Sequence, residues 1–171
     1  MKIVIGTIYR RWALMWLALL LGSSAPGVVM ANQTRVAFDS FELPLVDGSR
    51  FVNTGEYRGS VLVINYWRSD CPVCIAESTL LNQLADSYQG VAFMGIAIDD
   101  RISALRFLTR RPASYVQLYA PLAQTQLLHL AGNHSGGLPY TVVLDAQQRI
   151  CARRLGQVEY EWLEAALRQC R

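Results

Sequence analysis

Cys71 and Cys74 stand one helical turn apart in the stretch NYWRSDCPVCIAE, residues 65 to 77. Two thiols at this spacing can close on each other, exchange with a disulfide carried by another molecule, or supply half of a zinc site. Exchange needs a thiolate, yet a free cysteine with a pKa of about 8.5 is mostly protonated at neutral pH. The position of the pair supplies a remedy. Cys71 falls where an apolar run gives way to a helical pattern, so unpaired backbone amides and the positive end of a helix dipole face its sulfur. Cys74, one turn on, is expected to be more buried and less acidic, which suits it to resolve a mixed disulfide formed by Cys71. Pro72 pins the first turn and has no amide hydrogen of its own. Zinc needs two further ligands. Cys151 and Cys170 lack the spacing of a second knuckle, and His129 and His134 join only if folding brings them there. An inert structural bridge is the remaining alternative.

The elements that must hold this pair are legible on either side of it. Val61 to Tyr66 is a continuous apolar run of the kind that forms a strand buried on both faces. Residues Pro72 to Tyr88 read as a helix, with Leu80, Leu81, Leu84 and Tyr88 at helical spacing and Gly90 as its stop. Upstream, Phe41, Leu43 and Leu45 alternate before a turn at Asp47-Gly48 and a return at Phe51-Val52, a short hairpin signal. Thr54 to Gly59 reads as a turn or one helical turn. Downstream, Val91 to Asp99 reads as a second buried strand, Ser103 to Arg110 as a short helix, Tyr115 to Tyr119 as an extended piece and Leu122 to Leu130 as a helix. A Gly-rich loop then leads through Leu138-Pro139 into a strand at Tyr140 to Leu144, a turn, a strand at Ile150 to Leu155 and a closing helix from Val158 to Gln169. This order implies an α/β fold, a central mixed sheet flanked by helices.

The 171 residues suffice for one domain. Residues 1–31 differ from the rest: Lys2, Arg10 and Arg11 precede the apolar run Trp12 to Leu21, and Val29-Met30-Ala31 fits a signal-peptidase site. A cleaved secretory signal is expected. The rival is an uncleaved membrane anchor through residues 12–31, which carry no charge. Either reading places residues 32–171 outside the cytoplasm, in the periplasm or facing it from the membrane. The net charge of +3 comes from the leader, and residues 32–171 hold 13 basic and 13 acidic side chains. The doublets Arg110-Arg111 and Arg153-Arg154 make no basic stripe, so no nucleic-acid partner is expected. Four cysteines in an exported chain suit two disulfides.

The run VLVINYWRSDCPVC, followed some 60 residues later by GLPYTVVLD, resembles the thioredoxin superfamily and, within it, the exported TlpA/ResA-like thiol:disulfide oxidoreductases. The lead-in FELPLVDGSRF is similar to the hairpin that precedes the core in those proteins, and the resemblance spans about Phe41 to Arg168. It implies a thioredoxin-like fold with an N-terminal β-hairpin extension. It also implies Cys71 as the attacking and Cys74 as the resolving cysteine of a redox-active disulfide, and Pro139 as a cis-proline beside them. Leu138 then offers backbone groups to an extended partner strand. The implied activity is reduction of disulfides in envelope proteins, cytochrome c maturation among the possible settings, with electrons returned by a membrane donor and without cofactor or metal. The reverse direction, oxidation or isomerisation, uses the same chemistry. A Cu(I)-handling thiol module is an alternative of another class, since soft thiolates select that ion.

Three features depart from the family pattern. Asp70 stands where a Trp often precedes the first cysteine, and its carboxylate opposes thiolate formation, with Arg68 as an offset. Asn65 occupies the place of the buried acid of thioredoxin; an amide cannot shuttle a proton, which leaves Glu77 or water for that task. The inner dipeptide is Pro72-Val73. Trp67 reads as a packing wall beside the cysteines. Cys151 and Cys170 lie near the start of the last strand and the end of the last helix, so a helix running back along that strand brings them together. A structural disulfide there, with a second redox relay or an intermolecular bridge as the alternatives, closes a loop of about 20 residues and contributes on the order of 3 kcal/mol.

Overall fold

The computed structural model describes residues 35–121 and 126–171. The leader read over residues 1–31, and the start of the helix read from Leu122, lie outside the described residues. In chain order the elements are β1 (Val36–Ala37), β2 (Glu42–Pro44), β3 (Phe51–Asn53), a 3-10 turn (Thr54–Tyr57), β4 (Val61–Trp67), α1 (Pro72–Ser87), β5 (Val91–Asp99), α2 (Arg101–Arg110), β6 (Val116–Pro121), α3 (Gln126–Leu130), β7 (Tyr140–Leu144), β8 (Arg149–Leu155) and α4 (Tyr160–Cys170).

One sheet carries the strands in the order β1-β8-β7-β4-β5-β6, and β2 and β3 pair separately. The long connections through α1 and α2 make β4, β5 and β6 parallel, whereas the tight turn after β7 makes β8 antiparallel to it. All seven residues of β4 are buried, because this central strand is covered on both faces. Its alternate residues part accordingly. Leu62, Ile64 and Tyr66 join Met94, Ile96, Leu118, Val142 and Leu128 on the face that carries the hairpin and α3. Val61 and Val63 join Leu81, Leu84, Val143, Leu163 and Leu167 beneath α1 and α4.

Asp100 caps α2 by accepting hydrogen bonds from the amides of Ile102 and Ser103, so that helix starts two residues before the apolar pattern does. The hairpin lies against β6: the Val46 amide donates to the Gln117 carbonyl at 3.0 Å, and the Arg101 guanidinium donates to the Val46 and Asp47 carbonyls. An otherwise open sheet edge is covered in this way. β1 was not foreseen; a two-residue strand is too short to show alternation, and only its pairing with Arg149 and Ile150 of β8 defines it. Cys151 and Cys170 are joined, with Cα atoms 5.7 Å apart, tying α4 to β8. Among the described residues no helix is long and apolar enough to cross a membrane.

Candidate active site

The end of β4 delivers the chain to the start of α1, and Cys71 is the residue that caps this helix. Its sulfur accepts a hydrogen bond from the Cys74 amide at 3.2 Å, with Pro72 in the first turn. The two cysteines are disulfide-bonded, Cα atoms 5.2 Å apart. Cys71 is half-buried and Cys74 is 4% exposed. The outer sulfur is thus the one a visiting molecule can reach. It also sits in the field of the helix N-terminus, which favours the thiolate after reduction.

Several side chains named from sequence converge here. The Leu138–Pro139 peptide is cis, and the Leu138 carbonyl oxygen lies 3.9 Å from Cys71 Sγ. Trp67 packs with Cys74, Ala97 and Ala104, against the Phe107 ring at 5.1 Å between centroids. Its indole therefore closes the floor behind the pair. Asp70 is exposed and meets the Arg68 guanidinium at 2.7 Å, so the charge nearest Cys71 is partly balanced. Pro72 and Val73 are exposed on the rim.

Glu77 lies one turn beyond Cys74 on the buried side of α1 and is 1% exposed. Its Oε1 accepts from Asn65 Nδ2 at 2.8 Å and its Oε2 from the Val158 amide at 2.8 Å. Burial pushes its carboxyl up to about 7, although the Val158 and Asn65 hydrogen bonds and the Arg154 charge oppose that rise. A carboxyl under the dithiol thus titrates near neutrality in a chain whose strand offers only an amide. Asn65 donates its other hydrogen to Thr141 Oγ1 at 3.0 Å, linking β4 to β7.

Other residues fall elsewhere. His129 and His134 face each other, ring centroids 5.5 Å apart, on the exposed side of the loop that leads to Pro139. Cys151 and Cys170 border a different part of the sheet. Reading from sequence missed Thr141, Val158, Tyr115 and Gln117, which surround Asn65, Glu77 and Cys74 but come from other strands and loops. One signal was available: a glycine inside a strand, Gly95, marks a place where another group comes close.

Residues 35–168 match the AhpC/TSA family. The thiol:disulfide interchange protein DsbE of Pseudomonas aeruginosa is 31% identical over 130 residues, which are 74% of this chain and 69% of that protein. Among solved structures, a secreted thiol-disulfide isomerase from Corynebacterium glutamicum is 26% identical with a TM-score of 0.69, over 78% of this chain and 84% of that one. A thioredoxin family thiol:disulfide interchange protein from Chlorobium tepidum shares the fold at 20% identity and a TM-score of 0.69, over 82% and 99%. With its mixed sheet, its helix-capping Cys-x-x-Cys and this match over most of its length, the chain belongs to the AhpC/TSA family of the thioredoxin superfamily.

Proposed function

We propose that this protein is an exported thiol:disulfide oxidoreductase that reduces disulfides of envelope proteins. Thiol:disulfide exchange is carried by one observation: a half-buried sulfur, Cys71, caps a helix and is bonded to a buried one, Cys74. In the reduced protein the Cys71 thiolate attacks a partner disulfide, one partner sulfur leaves as thiolate, and a mixed disulfide forms. Cys74 then attacks Cys71, the second partner thiol departs, and Cys71–Cys74 closes. The Leu138 backbone beside Cys71 suits an extended partner segment, which adds main-chain hydrogen bonds next to the reacting sulfur.

The reducing direction is supported by Asp70, whose carboxylate beside Cys71 disfavours a very stable thiolate and so a very oxidising couple. Export is supported by the charged and apolar leader and the disulfide-forming cysteines. Return of the protein to its dithiol form then falls to a membrane donor, and maturation of c-type cytochromes is one setting that needs such a reductant.

Replacing the resolving sulfur tests this scheme. Cys74→Ala is expected to accumulate mixed disulfides with envelope proteins, seen as reductant-sensitive adducts, whereas Cys71→Ala gives none. The same adducts on both variants would remove the assigned roles.

A further inference from the structure

Gly95 sits inside β5, where glycine weakens a strand and has to be explained by what approaches it. The register sets Thr141, Asn65, Gly95 and Gln117 opposite one another across β7, β4, β5 and β6, all on the face beneath α1. The approaching group is the Gln117 carboxamide, which lies where a β-carbon on Gly95 would be. Its Oε1 accepts from Trp67 Nε1 at 3.0 Å, and its Nε2 also neighbours the Tyr115 hydroxyl, which leaves one Nε2 hydrogen to offer. Asn65 is the complement. Both its amide hydrogens are used, toward Glu77 and Thr141, so it has only its oxygen to offer.

Between these two amides runs a cavity of about 20 Å³, lined also by Cys74, Ser78 and Tyr115 and, toward the surface, by Arg111 and Ala113. A water needs roughly 10–15 Å³ and two to four polar partners. The cavity supplies the room, a donor, an acceptor and the buried sulfur. Tyr115, its hydroxyl pushed up to about 12 by burial, stays protonated in the working pH range.

We propose that this cavity is a water site that takes the Cys74 proton during resolution, and that Gln117 is its positioning residue. The water accepts from Gln117 Nε2 and from the Cys74 thiol and donates to Asn65. As Cys74 attacks, its S–H bond breaks, the proton passes to the water and out past Arg111, and the Cys74–Cys71 bond forms. The bond from Cys71 to the partner breaks, and the partner sulfur leaves with the electron pair and is protonated from solvent. The Glu77 oxygens accept from Asn65 and Val158, and Glu77 does not line the cavity. The Cys74 proton therefore goes first to the water and not directly to Glu77.

This inference rests on the exchange reading, and one experiment separates the two. Reduced protein mixed with Ellman's reagent in a stopped-flow instrument should show two phases, attack by Cys71 and closure by Cys74. Absence of both in the wild type would sink the exchange reading itself. With both present, Gln117→Leu is expected to leave the first phase unchanged and slow the second at least about tenfold. Its pH midpoint should also move upward, since a thiol facing a dry wall ionises less readily. Gln117→Met, of similar length and without amide atoms, serves the same comparison should the Leu variant misfold. An unchanged second phase in the apolar variants, a second phase slowed with no move in its pH midpoint, or equal slowing of both phases would overturn the proposal.

Discussion

At the scale of single residues, the unusual feature is that a strand amide holds a buried helix carboxyl beneath the dithiol. Asn65 holds Glu77 in place, and Glu77 carries the titration. Its carboxyl lies at about 7 in the folded protein against 4.5 ordinarily, so between those pH values the folded state keeps a proton that the unfolded chain has released. Stability therefore falls as pH rises from 4.5 to 7 and levels off above, by up to about 3 kcal/mol at 1.36 kcal/mol per unit. Glu77→Gln should lack this slope. Urea unfolding of the oxidised protein from pH 5 to 8 checks it: parallel stability curves for the two proteins would mean that Glu77 is not held protonated by its surroundings.

At the scale of elements, α1 and α4 meet the same face of the sheet, but they are fastened differently. α1 is held by a buried stripe of Cys74, Glu77, Leu81 and Leu84. α4 buries Leu163, Ala166 and Leu167 and is then fixed to β8 by the Cys151–Cys170 disulfide and by the Gln169 side chain, which donates to the Cys151 carbonyl at 3.0 Å. A closed loop of this length constrains the unfolded chain by about 3 kcal/mol. The double variant Cys151→Ala, Cys170→Ala should lose stability of that order in urea while both phases of exchange at Cys71 and Cys74 persist. Loss of exchange in a folded double variant would give the second disulfide a part in the chemistry.

At the scale of the whole molecule, redox state and stability are linked. A strong oxidant of this type is one whose reduced form is stabilised, so a reductant should show the opposite order. Accordingly the disulfide form of this protein is expected to melt above the dithiol form. Calorimetry of the two forms at pH 7 measures this, and a dithiol form that melts higher would reverse the direction of electron flow proposed here. The architecture fits a rigid platform: hairpin, α2 and β6 are tied together by Arg101, Val46 and Gln117, and the partner contact proposed above falls on the rim around Cys71, Val73 and Leu138.

The sequence by itself determined the pairs and periods. The Cys71/Cys74 spacing, the buried run of β4, the helix after it and the hairpin before it are local patterns, written in neighbours along the chain, and each is found within a residue or two of where it reads. The presence of Glu77 near the thiols followed as well, because three residues along a helix is a fixed geometry. Tertiary structure alone decided what surrounds them. Register across four strands sets Thr141, Asn65, Gly95 and Gln117 in one row, and a turn between β8 and α4 brings the Val158 amide to Glu77. The burial that moves the Glu77 carboxyl and the cavity behind Cys74 are sums over residues distant in sequence. No local pattern encodes them, because sheet register and the packing of α1 on the sheet are settled only when the core closes.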